Sequence, residues 1–249
     1  MQKYIRNLKA ILLSLVIAST FGCASIETDE TADWNARQFY QQAQEAIKIG
    51  DFESAIDYFS KLEARFPYGH YAQQAQLETA YIHYKAEEPD AAIAAADRFI
   101  KLHPLHKSVD YAYYLRGLAS YNLVPDTFER WTGQDRSERD PQRARESFNY
   151  FRVLVTRFPE TKYRAEAIKR MQSLRNSLAK HEIHVAKYYL RRGTHLAAAN
   201  RAKYVIENYP KTPAVTDALK VMIEAYRQLK LDDLANDAEE VLKLNQTEK

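Results

Sequence analysis

Cysteine is almost absent from this sequence, which contains one, Cys23, among 249 residues. A single cysteine excludes an internal disulfide framework and a zinc site built from several thiolates. Glycine and proline are also scarce, with 6 and 8 residues, which argues against an all-β architecture with many turns. No apolar run reaches the ~20 residues that a membrane-spanning helix needs. Hydrophobic residues make up 46% of the chain, enough for a buried core, and the high content of Ala, Leu, Lys, Glu and Gln indicates helices.

The charge balance excludes another class of function. Lysine and arginine number 36, and aspartate and glutamate number 33. Residues 1–22 hold three of the basic residues and no acidic one, so the remainder carries 33 of each sign. A basic surface that would bind nucleic acid is therefore not expected.

The N-terminal segment has the layout of a secretory signal peptide, with a basic start and an apolar core at residues 10–18. The string TFGC, residues 20–23, resembles the lipobox of bacterial lipoproteins, in which the signal is cut before a cysteine that is then lipidated. This resemblance implies a signal peptide at 1–22, a covalent lipid on Cys23 and a flexible tether at 23–33. Ala24 in place of aspartate implies the outer membrane. The alternatives are a signal peptide cut elsewhere and a buried structural cysteine.

Four prolines stand in the same local context, after an aromatic residue or a histidine. They are Pro67 (EARFP), Pro104 (IKLHP), Pro159 (VTRFP) and Pro210 (IENYP). Alignment on these prolines reveals an internal repeat, of which the fifth unit lacks the proline.

The first unit, residues 38–67, shows the pattern most clearly. Gly50–Asp51 separates two helical segments, and Ala55, Phe59 and Leu62 follow at spacings of four and three. This resembles the tetratricopeptide repeat (TPR), a helix–turn–helix of about 34 residues. Small residues let the helices approach closely, and proline ends the second helix. We therefore predict an all-α, TPR-like α-solenoid of about five repeats over residues 34–249, forming a superhelix.

Two gaps between the prolines are longer than one repeat. The first contains a polar insertion at 125–140, after which Asp140 is predicted to cap a helix whose first residue is Pro141. The second keeps helical periodicity, which predicts an extended first helix reaching Arg192. Thr212 is predicted to cap the fifth unit in the same manner as Asp140.

Catalytic motifs are absent from the sequence: there is no nucleophile elbow, P-loop or HExxH. The histidine pairs His103–His106 and His181–His184 are interpreted as surface or interface residues rather than metal ligands. The chain is therefore predicted to be a binding protein, not an enzyme, with no metal and no cofactor apart from the lipid. The groove of a TPR solenoid takes extended peptides or helices.

Aromatic residues concentrate in the first half of the chain, which predicts that some line the groove. Packing between helices is the other interpretation of these residues. Those chosen as candidate substrate contacts are Tyr68, Tyr71, Tyr81 and Tyr84. His70, Lys85 and Arg116 are candidates for binding a carboxylate or polar end.

Several strings resemble the BamD (ComL) family of outer-membrane assembly lipoproteins. They are RFPYGHYAQQAQLETAYIHYK (65–85), DRFIKLHP (97–104), LRGLASYN (115–122), DRSERDPQRAR (135–145) and AAANRAKYVIENYP (197–210). The resemblance implies a scaffold, facing the periplasm, of the BAM complex that inserts β-barrel proteins into the outer membrane. The implied partners are the POTRA region of BamA, companion Bam lipoproteins and unfolded barrel substrates with an aromatic-ended β-signal.

The resemblance also assigns roles to residues. It places the BamA contact at Arg201, with Asn200, in the C-terminal half (about 160–249), and the substrate contact at Phe66, in the N-terminal half (about 34–159). The alternatives are an exposed helix arginine for Arg201 and a packing residue at the end of a repeat for Phe66. For the whole chain, the alternatives are another TPR lipoprotein, for pilus assembly or envelope maintenance, and an envelope enzyme with a TPR-like shell.

Overall fold

The computed structural model of the chain describes residues 31–121 and 141–247, so Cys23 and the 125–140 insertion lie outside the described residues. Every regular element within those two ranges is an α-helix. The helices are α1 Ala36–Ile49, α2 Phe52–Arg65, α3 His70–Lys85, α4 Pro89–Leu102, α5 Val109–Tyr121, α6 Gln142–Arg157, α7 Arg164–Arg191, α8 His195–Asn208, α9 Ala214–Gln228 and α10 Asp232–Thr247. All ten belong to one compact unit, residues 36–249.

The helices pack as five successive pairs. Each helix contacts the next in the chain, and the first helices of neighbouring pairs also meet, α1 with α3, α3 with α5, and α7 with α9. Stacked pairs in which each unit contacts its neighbours are the arrangement of a TPR-like solenoid. The all-α, five-unit prediction is thus confirmed.

The first turn forms for local reasons. Gly50 adopts φ +81°, a left-handed conformation that costs glycine nothing. Asp51 then caps α2, because its carboxylate accepts a hydrogen bond of 3.1 Å from the backbone N–H of Ser54. Ala43 on α1 and Ala55 on α2 are completely buried, which lets the two helices approach closely.

The residue before each repeat proline ends a second helix. In all four units its backbone N–H donates a last helical hydrogen bond to the carbonyl four residues earlier. These residues are Phe66, His103, Phe158 and Tyr209. The helix cannot continue because the following proline has no N–H to donate.

Gly117 marks the closest approach of α5 and α6. A Cβ at this position would lie 2.5 Å from the ring of Phe151. The buried hydroxyl of Ser147 donates to the Gly117 carbonyl at 3.0 Å. The contact with Phe151 requires that residue 117 has no side chain.

The long helix α7 spans 28 residues and belongs to two hydrophobic clusters. Its first half, as far as Leu174, packs with α3 to α6. Its second half, from Ala179, packs with α8 and α9. The prediction of an extended helix is confirmed, with Arg192 as its C-cap.

The predicted helix starts need correction. Pro141 occupies the N-cap of α6 rather than its first helical position, and Asp140 lies outside the described residues. At α9 the N-cap is Pro213, without a side-chain cap. The capping role of Thr212 is wrong because its hydroxyl donates to the carbonyl of Tyr209, at 2.8 Å.

Candidate functional site

The first helices of the N-terminal units bring a set of tyrosines together on one side. Tyr40 of α1 lies 5.4 Å from Tyr71 of α3, measured between ring centroids. Tyr163, which precedes α7, stacks on Tyr114 of α5 at 4.5 Å. We call this surface the tyrosine face; it consists of Tyr40, Tyr71, Glu78, Tyr81, Tyr111 and Tyr163, with Tyr114 buried against Tyr163.

Glu78 is the carboxylate of the tyrosine face. Gln74, one turn earlier on α3, donates to it at 3.1 Å. Burial raises the pKa of the Glu78 carboxyl. Burial, followed by the charge of Glu78, raises the pKa of Tyr40 to about 12. The same two causes raise the pKa of Tyr111. The negative charge of Glu78 therefore acts on tyrosines of both α1 and α5, in partly desolvated surroundings.

The α7 end of the tyrosine face carries a closed ionic group. Arg170 donates to Glu166 at 2.6 Å, and its guanidinium lies 4.7 Å from the ring centroid of Tyr121. A hydrogen bond from the Tyr114 hydroxyl, followed by that from Arg170, lowers the pKa of Glu166. The charges at this end are therefore satisfied within the chain.

The structure separates the aromatic residues chosen from the sequence. Tyr71 and Tyr81 belong to the tyrosine face, and Tyr84, like Tyr81, is half-buried against the core. Tyr68 lies between α2 and α3 with 92% of its surface exposed. Phe66 is half-buried, and its ring centroid is 6.5 Å from that of Phe39, the contact expected of a residue that packs the end of a repeat.

The sequence reasoning missed Tyr40, Tyr163 and Glu78. The spacing carries a signal for Glu78, which lies seven residues after Tyr71 and three before Tyr81. These separations place all three on one face of a helix.

The residues chosen for a polar end differ in their surroundings. Arg116 pairs with Asp97 at 2.5 Å, and its guanidinium lies over the rings of Tyr113 and Tyr150. Its charge is therefore used inside the chain. His70 and Lys85 are exposed at opposite ends of α3.

Arg201 takes part in a second cluster, formed by three helices. Glu182 of α7 has a side chain that is only 3% exposed, and it accepts hydrogen bonds from Arg201 of α8 at 2.8 Å and from Arg145 of α6 at 3.3 Å. The side chain of Arg201 is 40% exposed, and Asn200 beside it is exposed. The cluster thus presents two guanidinium groups around one buried carboxylate, with a net positive charge.

Residues 31–121 and 141–247 hold neither a metal-binding cluster nor a membrane-spanning helix. In these ranges no group of three or more His, Cys, Asp or Glu side chains is arranged to hold a metal ion. No helix there is both long enough and apolar enough to cross a bilayer. In the predicted histidine pairs, His103 contacts the Gln76 side chain at 2.7 Å and His106 accepts from the backbone N–H of Ser108.

Comparison with known proteins gives one family. The sequence model of YfiO, described as an outer membrane lipoprotein, matches residues 32–242. A protein of Neisseria gonorrhoeae named "Outer membrane protein assembly factor BamD" is 41% identical over 233 residues, which are 94% of this chain and 87% of that protein. Proteins of the same name from Xylella fastidiosa and Vibrio cholerae are 38% and 34% identical, over 96% and 93% of this chain and 82% and 95% of their own lengths.

Solved structures are less similar to the chain in sequence than these relatives are. The crystal structure of MamA protein covers 82% of this chain and 88% of its own, at 15% identity and a TM-score of 0.35. The assignment therefore rests on the family model and on the sequence relatives. The chain belongs to the BamD family of outer membrane lipoproteins.

Proposed function

We propose that this chain is a non-enzymatic, lipid-anchored scaffold that assists the assembly of β-barrel proteins into the bacterial outer membrane. The observation that carries the proposal is the 41% identity, over 94% of the chain, to a protein named as an outer membrane protein assembly factor. The TPR-like solenoid supports it, because stacked helix pairs offer an extended binding surface. Within this proposal the chain acts in the BAM complex.

Cys23 is the proposed attachment point of the chain to the membrane. Cleavage before it would leave an N-terminal cysteine carrying the lipid, and residues 23–33 would serve as the tether. The solenoid would then face the periplasm from the outer membrane. Because the anchor is covalent, replacement of Cys23 by serine would release the chain from the membrane without altering the solenoid.

The tyrosine face is the proposed contact for unfolded barrel substrates. A β-signal is an extended strand with alternating aromatic residues, and tyrosine rings offer large apolar surfaces with hydroxyls for the peptide backbone. Tyr71 and Tyr81 would form the centre of this contact. Phe66, Tyr68 and Tyr84 would contribute from its margins.

Arg201, with Asn200, is the proposed contact with the POTRA region of BamA. Glu182 holds one guanidinium nitrogen of Arg201 at 2.8 Å, while 40% of the side chain remains exposed to a partner. A guanidinium oriented in this way can bind a carboxylate with little further loss of side-chain freedom. Companion Bam lipoproteins would bind elsewhere on the solenoid.

Affinity purification of the detergent-solubilised full chain tests the proposal. The wild type is expected to bring down a β-barrel protein with POTRA domains, and Arg201→Ala is expected to reduce its recovery. The matched control is Arg191→Ala, an exposed arginine near the end of α7 that lies outside the Glu182 cluster. Absence of any such partner with the wild type would refute the scaffold proposal, and equal loss with both variants would refute the role of Arg201.

A further inference from the structure

Glu78 differs from two other shielded carboxylates of the solenoid, Glu63 and Glu182. Glu63 and Glu182 each pair with at least one arginine. Among the described residues, no lysine, arginine or histidine pairs with Glu78, and Gln74 is the one donor to its carboxylate. A shielded charge without a counter-charge is unfavourable, so its presence here requires another explanation.

The surroundings of Glu78 suit a cation from another molecule. Tyr40, Tyr71, Tyr81 and Tyr111 are half-buried around it and remain partly open to solvent. The face of an aromatic ring carries negative electrostatic potential, which attracts lysine and arginine side chains. Carboxylate and ring faces attract the same sign of charge, and the site holds no cation of its own within the described residues.

We propose that Glu78 and the tyrosines around it bind the cationic side chain, arginine or lysine, of an extended peptide that lies along the tyrosine face. Arginine fits best, because its planar guanidinium can stack on a tyrosine ring while it donates to the carboxylate. The free C-terminal carboxylate of a peptide would be repelled from this position. The inference rests on the proposed function in that the peptide is taken to be a segment of an unfolded barrel substrate.

Two matched peptides test the proposal. One is a short peptide with alternating aromatic residues, a central arginine and both ends blocked; the other carries citrulline, which has nearly the same shape without the charge. Binding to the full chain in detergent is measured by fluorescence anisotropy. We expect the wild type to bind the arginine peptide about tenfold more tightly than the citrulline peptide. This is the typical gain from a hydrogen bond to a charged group.

Glu78→Gln is the decisive variant, because glutamine keeps the shape and an acceptor oxygen but removes the charge. It is expected to bind both peptides equally, with the affinity that the wild type shows for the citrulline peptide. Glu45→Gln, at an exposed carboxylate of α1 paired with Lys48, is the control and should retain the preference. A thermal melt of Glu78→Gln verifies that it is folded.

Equal binding of the two peptides by the wild type would overturn the proposal. A preference for the arginine peptide that survives in Glu78→Gln would also overturn it, and so would failure of the wild type to bind either peptide. Co-purification of the β-barrel partner is measured separately. If the preference depends on Glu78 but no such partner is recovered, the cation site stands and the proposed function fails. If the partner is recovered and the preference is absent, the cation site alone fails.

Discussion

Replacement of Arg201 tests how the Glu182 cluster contributes to stability. Glu182 is 3% exposed and accepts from Arg201 at 2.8 Å and from Arg145 at 3.3 Å. Removing the partner of a buried charge costs about 3–5 kcal/mol. Arg145 remains in Arg201→Ala and Arg201 is 40% exposed, so we expect a smaller loss of unfolding free energy, about 1–2 kcal/mol. For a domain of this size the corresponding fall in Tm is about 2–8 °C.

A double-mutant cycle isolates the ion pair from other effects of truncation. Glu182→Gln removes the buried negative charge, so Arg201→Ala in that background should cost no more than an ordinary surface substitution, about 0.5 kcal/mol. The two values therefore predict a coupling free energy of about 0.5–1.5 kcal/mol between the residues. Urea unfolding followed by circular dichroism measures all four proteins.

Equal costs of Arg201→Ala in the two backgrounds would refute this reasoning, because they would show that Glu182 does not sense the Arg201 charge. The cycle also separates folding from docking. Partner recovery by Arg201→Ala must be measured at a temperature well below its Tm. A reduced recovery there is a binding effect.

Three further predictions follow from particular contacts. Gly117→Ala should lower the unfolding free energy by about 1–3 kcal/mol in urea unfolding, because its Cβ would lie 2.5 Å from Phe151; a loss below about 0.5 kcal/mol would contradict the close approach. Asp51→Ala should lower the unfolding free energy by about 1 kcal/mol in the same assay, because the N-cap hydrogen bond from the Ser54 N–H at the start of α2 is lost. An unchanged urea midpoint would argue against this cap. Burial raises the folded-state pKa of the Glu78 carboxyl above its ordinary value of 4.5. The contribution of Glu78 to stability is therefore fully present below pH 4.5, where the carboxyl is neutral, and is lost as the pH rises through the folded-state pKa. Glu78→Gln should therefore raise Tm at neutral pH and lose that advantage below pH 4.5; a gain independent of pH would contradict the shifted pKa.

The repeat architecture could be predicted from the sequence because its signals are local. A proline removes a backbone donor wherever it occurs, so Pro67 and its counterparts mark helix ends without knowledge of the tertiary structure. Ala43 and Ala55 could be assigned to helix contacts for a similar reason, since small residues recur where helices approach. The long helix α7 was predictable from its uninterrupted periodicity.

The helix starts were harder to predict because side chains have competing partners. Thr212 has the right residue type for an N-cap, yet its hydroxyl bonds back to Tyr209. Both a forward cap and a backward turn bond are open to threonine, and only the backbone conformation of the turn decides between them.

The candidate sites depend on tertiary packing, and the sequence could predict them only in part. Tyr71 and Tyr81 were found as aromatic residues of one helix, whereas Tyr40 joins them only because α1 lies beside α3. Arg201 and Glu182 are 19 residues apart on successive helices. Their pairing depends on the register of α7 against α8, which no local pattern determines.

The central claim is that this chain assists the assembly of outer-membrane β-barrels. Its most direct test is depletion of the protein in its own bacterium, followed by measurement of folded β-barrel proteins in the outer membrane by their heat-modifiable mobility in gels. The account predicts that folded barrels fall while unfolded ones accumulate in the periplasm, and that the wild-type chain restores them. Unchanged levels of folded barrels after complete depletion would contradict the account.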